Sequence, residues 1–439
     1  MRVASLLLSL LPFQTPAPAD TLRDGWREDL RFLYRELERV HPRLFHAHPR
    51  AEWERAVQAL DAAIPQLDEA GFVVGLLRLV KLAQDGHTTL MPIGADVMAR
   101  CWPIAFWCLD EGPCVRAAAP AYRAAVGTRV VAVAGVPVAE VLERFRGVTP
   151  GDDPRGGRWL LERLLSFPAL HRALGIGTAG QPLVLTVARP GQPPLDLPLA
   201  EPEPGPPAVF GPTPEDWVDA APAARPLWLR EPERPYWFTA LVDDDAVYLR
   251  LRQIVSERRR PFPELCRELF AAMTQTGMSR LVIDLRDNTG GNNGLLLPLV
   301  HGLIRCAPLA QPGHLFVLTD GATFSAAVNC AARIERDTPA LFVGEATGAG
   351  PNHYGDAVEI TLPRTGYLLR VSSLWWQDSH PKDRRPAIRP DLPAPMTLAD
   401  YVAGRDPALA AALAFRPESV ASQPARLQDR WARPSQRAR

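Results

Sequence analysis

The chain predicts an α/β protein in which a helical segment and a β-rich module precede a region of alternating strands and helices. Three observations carry that expectation. Residues 281–285 and 315–318 are short, apolar and β-branched runs, each followed by a turn and then by helix-forming residues. Strand and helix signals then alternate to about residue 375, the pattern of an α/β sheet. The first 90 residues, by contrast, carry apolar positions at steps of three and four.

Residues 1–19, MRVASLLLSLLPFQTPAPA, combine one early arginine, an apolar run and small residues at Ala17 and Ala19, which reads as a secretory signal peptide and implies a secreted or periplasmic protein. An apolar but uncleaved amino terminus is the alternative. Trp26, Leu30, Leu33, Leu37 and Val40 line one face of a helix that ends at His41 and Pro42. Further helices are expected from Glu52 to Ile64 and from an Asp68 cap to Leu82, so that residues 20–95 form a helical bundle. Residues 96–205 form the β-rich module: a hairpin over 101–119, a strand, turn and helix over 127–145, and two strands over 182–199. A Pro-rich linker at 206–235 leads to a hairpin with Asp243–Asp245 at its turn and to a helix over 261–278. The unit 236–415 holds the α/β sheet, and the Arg-rich residues 416–439 are expected to be disordered.

With 49 basic and 49 acidic residues the charge balance offers no footprint for nucleic acid or for an anionic membrane. No segment beyond the leader approaches the apolar length of a membrane span. The six cysteines are too few for a disulfide scaffold, although Cys108 and Cys114 can pair across a turn in an oxidising compartment, with Cys101 nearby. Neither C-x-x-C nor H-E-x-x-H occurs, so no metal centre is expected.

Ser325 falls at the second strand–turn–helix junction, where the first helical N–H groups lack intrahelical partners and carry the positive end of the helix dipole. A serine there either caps its helix or acts as a nucleophile beside an anion cradle. Gly290 and Gly291 close the neighbouring strand, and glycine lets a backbone N–H approach a ligand unobstructed.

DLRDNTGG at 284–291, TFSAA at 323–327, GEATGAGPNHYGD at 344–356 and IRPDLP at 388–393 together resemble the tail-specific (C-terminal processing) serine peptidase family, over roughly residues 24–410. The resemblance implies a crotonase-like (ClpP-type) catalytic domain preceded by a PDZ-like module, the latter matched at Gly127–Gly135. Packing alone explains those last residues equally well. It further implies that Ser325 is the nucleophile and that the N–H groups of Gly290, Gly291 and Ala326 form the oxyanion hole. Asn352, His353 and Tyr354 would lie near the cleft as substrate-binding residues. The substrate would be a peptide or protein, and the reaction requires no cofactor.

Many members of that family activate the serine with a lysine, which here would fall at Gly350. The only lysines are Lys81 and Lys382, so a serine–lysine dyad is disfavoured and Lys382 is a fallback. His87, in the family-like motif DGHT at 85–88, becomes the expected general base. Lone histidines after a helix more often simply cap or face solvent, and His353 and His380 are alternative bases. An acid placed just before AIRPD would orient the histidine, which points to Asp383, with a one-residue shift giving Arg384 and with Asp85 a nearer neighbour in the chain. The lipase-type G-x-S-x-G elbow is absent. The competing expectation is a catalytically inactive member that binds a peptide or small hydrophobic ligand; hydrolysis requires the Ser325 and His87 side chains within roughly 2.6–3.2 Å, or slightly looser in an apo state.

Overall fold

The computed structural model describes residues 19–92, 94–152, 157–178 and 180–416. Apart from Ala19 and Arg416, the expected leader and tail lie outside the described residues. Three helices open the chain: α1 (Ala19–Val40), α2 (Arg50–Ala63) and α3 (Glu69–Lys81). The Asp68 side chain accepts the Gly71 N–H at 2.8 Å, the cap that its position suggests. Short strand β1 (Thr89–Met91) follows.

An antiparallel sheet comes next, in the order β2 (Ile104–Leu109), β3 (Gly112–Ala118), β4 (Arg129–Val133), β5 (Leu183–Ala188) and β6 (Leu195–Leu199). Most of its buried side chains share one continuous core with those of the three helices, including Trp53, Phe72, Ile104 and Leu185, while Leu109 and Cys114 pack with Trp228 and Tyr401. The Cys108–Cys114 pairing that the sequence leaves open in the β2–β3 hairpin does not form, and all six cysteines are free thiols. The register explains this: Cys114 lies opposite Trp107, so Cys108 is one residue out of step and on the other face of the hairpin. The Pro-rich segment is anchored at points, with Val218–Asp219 pairing with β3 and Trp228 buried.

The second sheet has six strands in the order β14, β11, β10, β9, β8, β7, where β7 is Tyr236–Leu241, β8 Ala246–Leu251, β9 Arg280–Asp284, β10 Leu315–Thr319, β11 Leu341–Gly344 and β14 Leu392–Pro393. All pair in parallel except β7, an antiparallel edge strand. Strand alternation sends Leu281, Ile283, Leu315 and Val317 to one face, against α4 (Phe262–Thr276), α5 (Leu297–Arg305) and α6 (Ala326–Asp337). Val282, Phe316 and Leu318 point to the other face, against α7 (Pro407–Ala414). The result is a three-layered α/β unit with the carboxyl ends of β9 and β10 side by side.

One element departs from the expected alternation. Residues 352–377 are not sheet and helix but a long two-stranded ribbon of β12 (Asn352–Thr361) and β13 (Leu368–Gln377) that leaves the α/β unit. β1 adds to its free edge, with Thr89 opposite Arg370. The ribbon tip is latched to α1: the N–H groups of Arg364 and Thr365 and the Thr365 hydroxyl donate to the fully buried Asp29 carboxylate at 2.6–2.9 Å. Leu369 and Val371 of β13 enter the core of the helices. His87, from the amino-terminal third of the chain, is thereby carried to the sheet that bears Ser325.

Candidate active site

Two turns at the carboxyl ends of β9 and β10 build the site. Beneath the first lies a buried charged network in which Arg286 bonds the carboxylates of Asp284 and Asp406, while Arg250 Nη1 donates to the Arg286 carbonyl at 2.7 Å. Asn288, fully buried, donates from Nδ2 to the Leu251 carbonyl at 2.7 Å and accepts the Gly290 N–H on Oδ1 at 2.9 Å. The Asn288 carbonyl also accepts the Phe324 N–H at 2.9 Å, joining the two turns. Asp320 joins them a second time, accepting the N–H groups of Asp287, Ala322 and Thr323 at 2.9–3.1 Å. Burial, aided by the neighbouring Glu345 and Asp287 carboxylates, raises Asp320 to about 6.

At Ser325 the backbone adopts φ 54°, ψ −129°, a conformation that costs a non-glycine residue on the order of 1–3 kcal/mol. It stands at the cap position of α6, yet its side chain makes no capping hydrogen bond. The capping account of this serine therefore fails: the hydroxyl is left free at a helix amino terminus. Gly290, at φ 114°, lies directly against it, since a Cβ there would be 2.6 Å from Ser325 Cβ and 3.0 Å from the Ala326 nitrogen. Gly291, at φ 141°, presses on the Ile254 carbonyl, which a Cβ would approach to 2.1 Å.

The expected oxyanion donors divide. The Gly290 N–H is held by Asn288, so this residue supplies close approach and not a donor. The N–H groups of Gly291 and Ala326 have no hydrogen-bond partner among the described residues. Ser325, Gly291 and His87 line the same cavity, of roughly 850 Å³, whose wall also includes Phe324, Trp376 and Arg158.

His87 is buried, with its ring against Phe324 at 4.3 Å between centroids and alongside His353 at 5.6 Å. Neither ring nitrogen has a hydrogen-bond partner; the Tyr354 backbone stands close without reaching hydrogen-bond geometry. No hydrogen bond therefore joins His87 to Ser325 in this structure. Burial, reinforced by His353, pushes the His87 imidazole down to about 3, so the ring is neutral at pH 7.

Other expected roles are corrected by the packing. Asp383 does not meet His87: its carboxylate is taken by Arg385 and by the Ser379 hydroxyl at 2.7 Å. Those partners, Arg385 first, hold it down at about 2 against its partial burial. Asp85 is fully buried and accepts the His87 backbone N–H at 2.8 Å, while its other oxygen faces His41 Nε2 at 3.3 Å. It thus positions the backbone of His87 rather than its ring. Asn352 braces the following loop, bonding the His380 carbonyl and the Ser379 N–H at 2.9 Å. Tyr354 is buried in an aromatic stack with His41, His46 and Trp375. Neither residue, nor His353, lines the cavity. At Gly350 a Cβ would fall 2.2 Å from the Arg385 carbonyl, so no lysine fits there. Lys382 is exposed, and Lys81 is spent on the Thr149 carbonyl at 2.8 Å. The buried Asp284–Arg286–Asp406 network and the two-turn brace at Asp320 escaped sequence reasoning, because Asp406 lies 120 residues from Arg286 and Asp320 lies 33 from Asp287; the signal available was the acids at the turns, Asp284 and Asp287 at the first and Asp320 at the second.

No family model matches the chain. No curated protein matches it either. Among solved structures, a mutant of CPAF aligns at 13% identity over 92% of this chain and 99% of that one, with a TM-score of 0.65. Mature CPAF complexed with lactacystin aligns at 14% identity over 88% and 96%, with a TM-score of 0.63. The photosystem II D1 C-terminal processing protease aligns at 15% identity over 87% and 98%, with a TM-score of 0.42. The chain therefore shares its fold, nearly end to end, with CPAF.

Proposed function

We propose that the chain is a serine peptidase that hydrolyses peptide bonds through an acyl-enzyme on Ser325, with His87 as general base. One observation carries the reading: an unbonded serine hydroxyl, held at strained backbone angles on a helix amino terminus beside the unpartnered Ala326 N–H, shares a cavity with Gly291, whose N–H is also unpartnered, and with a neutral, unpartnered histidine. In the reaction Ser325 Oγ attacks the substrate carbonyl while its proton passes to His87. The developing oxyanion is met by the N–H groups of Gly291 and Ala326. His87 then gives the proton to the leaving amine, and water repeats the sequence to release the acyl group. Substrate binding closes the gap between His87 and Ser325, as catalytic hydrogen bonds often tighten only in the complex. The motif resemblance to tail-specific peptidases and the leader-like residues 1–19 place this activity, within the proposal, on an exported protein.

A second reading, a peptide-binding protein without catalysis, draws support from the missing His87–Ser325 hydrogen bond. Intact-mass analysis after incubation with a fluorophosphonate separates the two. The peptidase is expected to gain one adduct at Ser325 and to lose reactivity by about 10²–10⁴-fold in His87→Ala. No adduct on the wild type would overturn the peptidase reading in favour of the binding protein.

The acid limb of the rate profile gives an independent check. A general base must be unprotonated to act, and His87 is shifted downward from 6.5 by burial and by His353. Activity should therefore stay level from pH 8 to well below 6.5 and fall only as the pH approaches the lowered value, read as kcat/KM on a peptide substrate. Half-loss near pH 6.5 would mean that the base is a solvated histidine elsewhere.

A further inference from the structure

We propose that His353 takes the place usually held by an acid behind a catalytic histidine, as the positioning residue whose Nε2 accepts the N–H of His87; this rests on the peptidase reading. The acids near His87 are committed elsewhere. Asp85 faces His41 and the Thr88 hydroxyl, Asp383 is bonded to Arg385 and Ser379, and Asp378 is bonded to Arg333 and Asn329. His353 is buried with 2% exposure, and its Nδ1 lies 2.9 Å from the Gly350 carbonyl. A carbonyl only accepts, so Nδ1 carries the proton and Nε2 is a bare acceptor. That acceptor has no partner, and neither ring nitrogen of His87 has one. Unsatisfied buried groups of this kind are costly singly and informative as a set.

Geometry fits the pairing. The two imidazoles are nearly parallel, at 5°, with centroids 5.6 Å apart. Two imidazoles joined by an N–H···N bond of ordinary length have centroids about 5 Å apart, so the two rings already stand near that separation, and the contact requires a ring movement that brings a His87 N–H into line with His353 Nε2. The strand supports it: His353 and Gly355 lie on the same face of β12, and a Cβ on Gly355 would stand 3.6 Å from His87 Cε1. Charged and titratable groups around His87 include His353, Asp85 and Arg370, with Asp152 on the N–H of the adjacent Gly86, and those around His353 include Asp85 and Asp378. On attack, the Ser325 proton moves to the free nitrogen of His87; the other His87 N–H stays in place, bonded to His353 Nε2, and the His353 proton stays on Nδ1 toward Gly350. The proton on His87 leaves with the amine, and the pair returns to its starting tautomers.

The test is the rate at which a fluorophosphonate phosphonylates Ser325, with loss of fluoride, in wild type, His353→Phe and His353→Gln. Phe keeps the bulk and removes the acceptor, and a phosphonylation rate on the order of 10²-fold below wild type is expected. Gln offers an amide oxygen near the Nε2 position and should recover to within about tenfold of wild type. A purely structural role would instead track the melting midpoint, measured on the same samples. His353→Phe reacting at the wild-type rate, or a folded Gln variant no faster than Phe, overturns the proposal while leaving the peptidase reading intact. No labelling of wild type overturns both. Imidazole ¹⁵N shifts of the wild type supply a readout that needs no variant: a proton on Nδ1 and none on Nε2 of His353 is expected, and the opposite tautomer overturns the assignment.

Discussion

Replacing Ser325 with glycine is expected to make the protein more stable and inert. The residue sits at φ 54°, ψ −129°, which only glycine adopts without strain. Relief of that strain, worth on the order of 1–3 kcal/mol, is partly offset by the greater freedom of glycine in the unfolded chain. A net gain of about 1 kcal/mol is expected, read as a rise of a few degrees in the melting midpoint. Peptide hydrolysis should fall by about 10⁵–10⁶-fold in kcat. Ser325→Ala is the control: it loses the same activity but keeps the strained angles, so its stability should match wild type. Had the hydroxyl capped α6, alanine would cost about 0.5–2 kcal/mol instead. A destabilised alanine variant and an unchanged glycine variant would thus return Ser325 to a structural role.

Gly290→Ala should do the reverse, weakening both fold and chemistry. The new methyl group would stand 2.6 Å from Ser325 Cβ and 3.0 Å from the Ala326 nitrogen, and φ 114° is closed to alanine. Neither turn yields easily, because Asn288 and Asp320 tie the two together. A cost of roughly 2–4 kcal/mol is expected from strain and overlap, together with a fall in kcat of about 10²–10³-fold as the Ala326 donor and Ser325 Oγ are pushed apart. The measurement is kcat and chemical denaturation on one preparation. A variant that loses stability but keeps kcat would show that the contact between the two turns matters to the fold alone. A side chain at its neighbour Gly291 meets the Ile254 backbone and not the serine, so it should cost stability through that overlap and kcat through displacement of the Gly291 N–H.

The division between what is local and what is distant explains which expectations held. The position of Ser325 at a strand–turn–helix junction was legible because apolar runs, turn residues and helix formers are written in adjacent residues. So was the Asp68 cap, and so were the glycines of the first turn, whose φ of 114° and 141° no other residue accepts readily. The roles of individual polar groups were not legible. Gly290 has the right conformation for an oxyanion donor, but whether its N–H is free depends on the Asn288 side chain, which in turn is aimed by the Leu251 carbonyl. Asp383 stands at a plausible spacing for a catalytic acid and is claimed by Arg385, itself paired with Glu335. Cys108 and Cys114 are close in sequence and separated by one step of strand register.

By itself the sequence determined an α/β protein with a nucleophile-like serine between two turns, because secondary structure and turn chemistry are dictated over a few neighbouring residues. Only the tertiary structure decided which groups meet that serine. The ribbon of β12 and β13 pairs with β1 and latches onto Asp29, so His87 reaches the cavity through contacts between residues more than 270 apart. Hydrogen-bond partners and burial are settled by such distant contacts, and with them which amides stay free, which acids are spent, and why His87 is neutral beside His353.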